Sequence, residues 1–208
     1  TFVSINLGGI IAYAGKKVII IDLDMRKPKI HIGFNTSNDK GMSTVLIGKT
    51  SIEECIQHSS LKNLDFITAG PIPPNPSELI LTKRMEEVID ELKKTYDAVI
   101  IDNPPVGIVS DGLNNLKRAD YPIFIFRSNY SKRFFFENVN NIVKEHNIKN
   151  LSIILNGVDS IHPGYGYGYG YGYGYGYGYY DDDSRNKPKP WYKKIFKRKT
   201  NAAYGYRY

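Results

Sequence analysis

A single cysteine, Cys55, stands among the 208 residues, so no internal disulfide can form. The stretch around it, Ser51 to Gln57, reads as a short helix, and the thiol reads as buried and inert. A chain that does without disulfides suits a reducing compartment, and a cytosolic setting is the expectation. No run of 18 or more apolar residues occurs, the length that a membrane-crossing helix requires, and no secretory leader is recognisable. The four histidines, His31, His58, His146 and His162, lack the spacing of a metal cluster. Charge of one sign is also scarce over most of the chain. Residues 181–208 hold nine Lys/Arg and three Asp, a net of +6, which leaves +1 of the total +7 to residues 1–180. That balance excludes a basic nucleic-acid-binding domain and leaves a basic segment at the end.

What is present alternates between two periods. Val18-Ile19-Ile20-Ile21, Ala98-Val99-Ile100-Ile101, Pro122 to Phe126 and Leu151 to Leu155 are short apolar runs, and Leu64-Asp65-Phe66-Ile67 is a weaker one. Continuous β-branched runs suit strands covered on both faces. Between them, Asn75-Pro76-Ser77-Glu78 carries the marks of a helix start: an N-cap, a proline at the first position and a capping-box glutamate. Leu79, Ile80, Met85, Val88, Ile89 and Leu92 continue it as one helix, and a further helix is expected over Lys132 to His146. Strand–helix–strand repetition predicts an α/β fold, a parallel sheet with helices on both faces.

Two of the strands end in acid. The first runs into Asp22-Leu23-Asp24-Met25-Arg26-Lys27-Pro28, the second into Asp102-Asn103-Pro104-Pro105. In open α/β sheets, sites form at the carboxyl ends of the strands. Carboxylates placed there suit Mg²⁺, which keeps most of its waters and takes one or two protein carboxylates. An acidic strand-end turn with no ligand reads equally well from either motif alone. Thr1 fits the last position of a Gly-x-x-x-x-Gly-Lys-Ser/Thr phosphate loop leading into the helical Phe2-Val3-Ser4-Ile5-Asn6-Leu7, but the glycines, the lysine and the strand before them are not in the sequence.

Taken together, residues 1–158 resemble the bacterial tyrosine kinases linked to capsule and exopolysaccharide export, a branch of the P-loop ATPases. The resemblance rests on Thr1 to Leu7, Ile21 to Pro28, Gly70-Pro71-Ile72-Pro73-Pro74-Asn75-Pro76-Ser77-Glu78-Leu79 and Asp97 to Pro105. It implies ATP and Mg²⁺ as cofactors. It implies that Thr1, Asp22, Asp24 and Asp102 serve the metal, with Asp22 and Asp24 also orienting or deprotonating a tyrosine hydroxyl. Arg26 would meet phosphate or the acceptor, and Asn156 the adenine. It further implies a ring-shaped homo-oligomer that phosphorylates between subunits, a cognate phosphotyrosine phosphatase, and the polysaccharide polymerisation and export machinery as partners. The setting would be the cytoplasmic face of the bacterial inner membrane. A longer protein is expected, in which a Gly-rich loop and often a membrane-spanning periplasmic domain precede Thr1. Without that loop, the 208 residues are expected to be phosphorylated rather than to phosphorylate.

The domain expected over 1–163 is followed by a Gly-Tyr run at 164–180 and a basic segment at 181–208. The run holds Tyr165, Tyr167, Tyr169, Tyr171, Tyr173, Tyr175, Tyr177, Tyr179 and Tyr180. Such a segment buries no core and is expected to be disordered. Beside a tyrosine-kinase-like domain it reads as the phosphate acceptor; alone it reads as an adhesive low-complexity linker. As a coil, residues 164–208 span roughly 35–40 Å, enough to meet a neighbouring subunit. Trp191-Tyr192-Lys193-Lys194-Ile195-Phe196-Lys197-Arg198-Lys199 interleaves aromatics with cations and fits either an anionic membrane surface or phosphotyrosines in cis. Two other function classes stay open: a P-loop ATPase switch of the partitioning or cell-division type, and a fragment that serves only as substrate.

Overall fold

The computed structural model describes residues 1–104 and 111–158. The expected acceptors Tyr165 to Tyr180 and the basic segment 181–208 lie outside the described residues. The described residues fall into two compact units, one within Thr1–Phe124 and Lys132–Ser152, the other within Ile125–Ser131 and Ile153–Val158.

In the first unit the order is α1 (Phe2–Tyr13), β1 (Val18–Asp22), α2 (Ile30–Phe34), α3 (Met42–Leu46), a 3-10 turn (Glu53–Cys55), β2 (Gln57–His58), β3 (Leu64–Ile67), α4 (Pro76–Ile80), α5 (Lys83–Thr95), β4 (Ala98–Asp102), α6 (Asp111–Arg118) and, beyond β5, α7 (Phe134–His146). Four strands form one sheet in the order β2-β3-β1-β4. β1 lies between β3 and β4, parallel to both, and all five of its residues are buried. Its side chains alternate between two cores. Ile19 and Ile21 face Met42 and Val45 of α3 and Met85, Val88 and Leu92 of α5. Val18 and Ile20 face Ile5 and Ala12 of α1 and Ile30 of α2, with Leu64 and Phe66 of β3. Helices on both faces explain why β1 reads as an unbroken apolar run.

In the second unit the described part is small. β5 (Ile123–Arg127) and β6 (Ser152–Asn156) pair as a two-stranded sheet, most of whose residues belong to this unit. Arg127 lies over the Tyr130 ring, 5.7 Å from its centroid, and the Ser128 amide donates to the Asn156 carbonyl at 2.8 Å.

Three expectations about local structure are corrected. The helix from Asn75 is two helices. Leu81 and Thr82 interrupt it, with Thr82 extended (φ −74°, ψ 155°) and its hydroxyl donating to the Leu79 carbonyl at 2.7 Å. Both helices reach the same core, through Leu79 and Ile80 on α4 and Met85 and Val88 on α5. The capping box at Asn75 does not form; its side-chain amide donates to Glu78 Oε2 at 2.7 Å instead. The helix expected at Ser51 to Gln57 is only the 3-10 turn, because Ile56 is extended and Gln57–His58 pair antiparallel with β3. That short edge strand makes the sheet mixed rather than wholly parallel.

Gly41 joins α3 to the sheet end. A Cβ there would stand 2.2 Å from the Thr68 carbonyl oxygen and 2.4 Å from the Gly70 nitrogen, both backbone atoms that cannot rotate away. Gly41→Ala is expected to lower the unfolding free energy by about 1–3 kcal/mol, the cost of overpacking. Urea denaturation checks this; an unchanged midpoint contradicts it.

Candidate functional site

The β1–β4 register runs from Val18↔Ala98 to Asp22↔Asp102, so the two acids close adjacent strands side by side. Asp22 is fully buried and Asp102 nearly so. The segment after β1 folds back onto Asp22. Asp22 Oδ1 accepts the Asp24 amide at 3.0 Å, and Oδ2 accepts the amides of Lys29 at 3.2 Å and Ile30 at 3.0 Å. Asp24, half-buried, repeats the device one step out, accepting the Lys27 amide on Oδ1 at 3.1 Å. Leu23 and Met25, between and after the acids, are buried and point the other way.

Asp102 is met from α1. Thr1 Oγ1 donates to Asp102 Oδ2 at 2.5 Å, and Ser4 Oγ donates to Oδ1 at 2.8 Å. The Thr1 nitrogen stands 2.9 Å from the same Oδ1. The structure therefore brings Thr1, Asp22, Asp24 and Asp102 to one end of the sheet. Arg26 is exposed beside them and donates to Ser77 Oγ at 2.7 Å, tying the loop after β1 to the start of α4. Asn156 ends β6 and belongs to the second unit.

Ser4 was not among the residues expected from sequence. Its signal was there: three residues past Thr1 on a helix, it shares Thr1's face. Asn115 is a second such residue; buried on α6, it donates to Asn103 Oδ1 at 2.9 Å and holds the chain just past Asp102.

Burial pushes the Asp22 carboxyl up to about 6; the charge of Asp102 adds to the rise, while the amides of Ile30, Lys29 and Asp24 oppose it. Two adjacent carboxylates with a hydroxyl at their edge are a donor set for a hard, oxygen-seeking cation. Among the described residues no three His, Cys, Asp or Glu side chains converge to hold a metal alone. Mg²⁺ takes few protein ligands and shares its shell with water and phosphate. Thr1, Asp22 and Asp102 are the residues that would hold it. Two clefts elsewhere, one lined by Lys117, Asp120, His146 and Lys149, the other by Ile80, Met85, Ile89 and Arg118, contain none of the expected site residues.

Comparison with known proteins agrees with this geometry. The AAA domain family matches residues 1–153. The tyrosine-protein kinase YwqD of Bacillus subtilis is 40% identical over 154 residues, 73% of this chain and 64% of the relative. The solved kinase domain of the Escherichia coli tyrosine kinase ETK superposes with a TM-score of 0.72 at 34% identity, covering 81% of this chain and 66% of that one. The Pyrococcus furiosus cell-division ATPase MinD shares the fold at a TM-score of 0.58 and 21% identity, covering 73% and 62% of the two chains. The chain spans 64% of the length of YwqD and far less of several other relatives, down to 15%. The chain belongs to the bacterial tyrosine-kinase family of P-loop ATPases.

The raised Asp22 makes stability depend on pH in a defined sense. Folded Asp22 holds its proton to higher pH than the unfolded chain does, so folding takes up a proton between about pH 4 and 6. Asp22's contribution is most favourable below that window and worsens as pH rises through it, by on the order of 3 kcal/mol. In metal-free buffer, the unfolding free energy is expected to fall more steeply from pH 4 to 6.5 in the parent than in Asp22→Asn. Urea titrations at stepped pH check this, and equal slopes contradict it.

Proposed function

We propose that this chain supplies the metal-binding and acceptor-orienting half of a protein-tyrosine kinase site, and that its own Gly-Tyr run is the phosphate acceptor. The observation that carries the reading is the Asp22–Asp102 pair on adjacent strand ends, with the Thr1 hydroxyl on Asp102. Family membership supports the transfer chemistry, and the nine tyrosines between 165 and 180 support the acceptor.

In this reading the phenolic oxygen of a tyrosine attacks the γ-phosphorus of ATP, the bond to the ADP oxygen breaks, and the phenolic proton leaves to a carboxylate. Such transfers need positioning and charge stabilisation more than covalent chemistry. Bound Mg²⁺ would supply charge neutralisation on the phosphates. Thr1, Asp102 and Asp22 would hold it. Asp24 lies further out and only half-buried, so it is the carboxylate suited to orient the tyrosine hydroxyl and accept its proton. Arg26, held by Ser77, would meet the phosphate or the acceptor. Asn156 as adenine contact, transfer between subunits of a ring, reversal by a phosphotyrosine phosphatase, and control of polysaccharide export belong to the same proposal. So does a place at the cytoplasmic face of the inner membrane, for which the cation–aromatic alternation of Trp191 to Lys199 is the support.

The test uses the chain with a Gly-x-x-x-x-Gly-Lys segment ahead of Thr1, incubated with ATP and Mg²⁺, and maps phosphotyrosine by mass spectrometry. Modification within Tyr165 to Tyr180 is expected, falling about 100-fold or more in Asp24→Asn and lost in Asp22→Asn. ATP hydrolysis that leaves the tyrosines unmodified would contradict the reading and favour a switch ATPase.

A further inference from the structure

The Gly-Tyr run offers an enzyme nothing to choose by. Each Gly-Tyr step is like the next, and residues 164–180 carry no charge. Its end is marked by the Tyr179-Tyr180 pair, which breaks the alternation, and by Asp181-Asp182-Asp183, which directly follow it ahead of the basic residues from Arg185 on. These aspartates are the sole acidic residues from Gly164 to Tyr208.

The candidate site carries the complement. Arg26, Lys27 and Lys29 are exposed within four positions of the loop after β1. Arg26 is held by Ser77, whereas Lys27 and Lys29 have no ion-pair partner among the described residues. Their backbones are fastened to the acids of the site. The Lys27 amide donates to Asp24 at 3.1 Å, and the Lys29 amide to Asp22 at 3.2 Å. The cations thus stand on the very residues that brace the carboxylates.

We infer that Lys27 and Lys29, with Arg26, form the docking patch for Asp181–Asp183 of a second copy of this chain, and that this contact sets which tyrosine enters the site. The inference rests on the reading of the tail as acceptor. Its reach follows from chain geometry. An extended chain advances about 3.3–3.6 Å per residue, so anchoring Asp181 leaves Tyr180 and Tyr179 within roughly 7 Å of the anchor. Tyr165 lies fifteen residues earlier than Tyr180 and is presented only when the anchor shifts. Each phosphotyrosine formed adds about −1.5 to −2 charge next to the aspartates. The anionic anchor therefore lengthens as it is used, and modification proceeds from Tyr180 towards Tyr165.

Binding without ATP tests the docking separately from the transfer. A fluorescein-labelled peptide of residues 176–184 is titrated with the full chain at low salt and read by anisotropy. A second peptide has Asp181, Asp182 and Asp183 replaced by Asn. The acidic peptide is expected to bind roughly fivefold more tightly or better, the factor exposed charge pairs can supply, and to lose that margin at high salt. The margin should vanish with Lys27→Gln and Lys29→Gln together. It should return as a preference for an Asp→Lys peptide when both lysines become Asp. Equal binding of the two peptides, or a margin unchanged by the lysine substitutions, overturns the docking patch. In the phosphorylation assay, Tyr179 and Tyr180 should be modified before Tyr165; a simultaneous or reversed order also overturns it. A peptide that docks by these criteria but is never phosphorylated would sink the acceptor reading and leave the patch standing.

Discussion

The parallel register that sets Asp22 of β1 beside Asp102 of β4 is the constraint on which the rest of this end of the molecule depends. Two carboxylates are taken out of water next to each other, which burial and like charge both oppose. The surrounding chain answers with donors. Thr1 and Ser4 reach in from α1, and three backbone amides reach in from the loop after β1. Those donors tie the loop from Leu23 to Lys29, and the residues at the start of α1, to the end of the sheet. They satisfy the oxygens without cancelling the charge. What remains is a seat whose natural complement is a cation.

The central strands were legible because burial on both faces leaves a signature that local chemistry cannot imitate. Val18 to Ile21 and Ala98 to Ile101 are β-branched runs ended by an acid, and both became neighbouring strands whose acids meet. The pairing itself was not legible. Nothing in the local sequence says that residue 22 lies opposite 102, and family resemblance carried that step. Ser4 was missed because a serine on an apolar helix reads as filler until its partner 98 residues away is known. The break at Leu81–Thr82 was missed because Leu79, Ile80, Met85 and Val88 keep a helical period across it. Tertiary packing of the five-residue α4 and the thirteen-residue α5 onto one core overrode that local preference. The antiparallel strand at Gln57–His58 was missed for lack of length: two residues carry no period.

The same loop carries two kinds of information. Its backbone braces the carboxylates, a task that needs amides in fixed positions and is indifferent to side chain. Of its side chains, Arg26 is held by Ser77, while Lys27 and Lys29 are exposed on the same segment. In the proposed reading, a repetitive, neutral run would gain direction from such a patch, since three aspartates mark its end and none its middle. Exposed charge pairs are weak singly and screened by salt. That suits an acceptor that has to be released and advanced many times.

The central claim is that Asp22, Asp102 and Thr1 form a cation seat. Paramagnetic broadening by Mn²⁺, added at sub-stoichiometric amounts to the isotope-labelled chain at pH 8, tests it most directly. The account predicts loss of amide signals centred on Thr1 to Ser4, Asp22 to Asp24 and Asp102, reversed by excess Mg²⁺. Signals at these residues that persist while others broaden, or broadening that Mg²⁺ does not reverse, would contradict it.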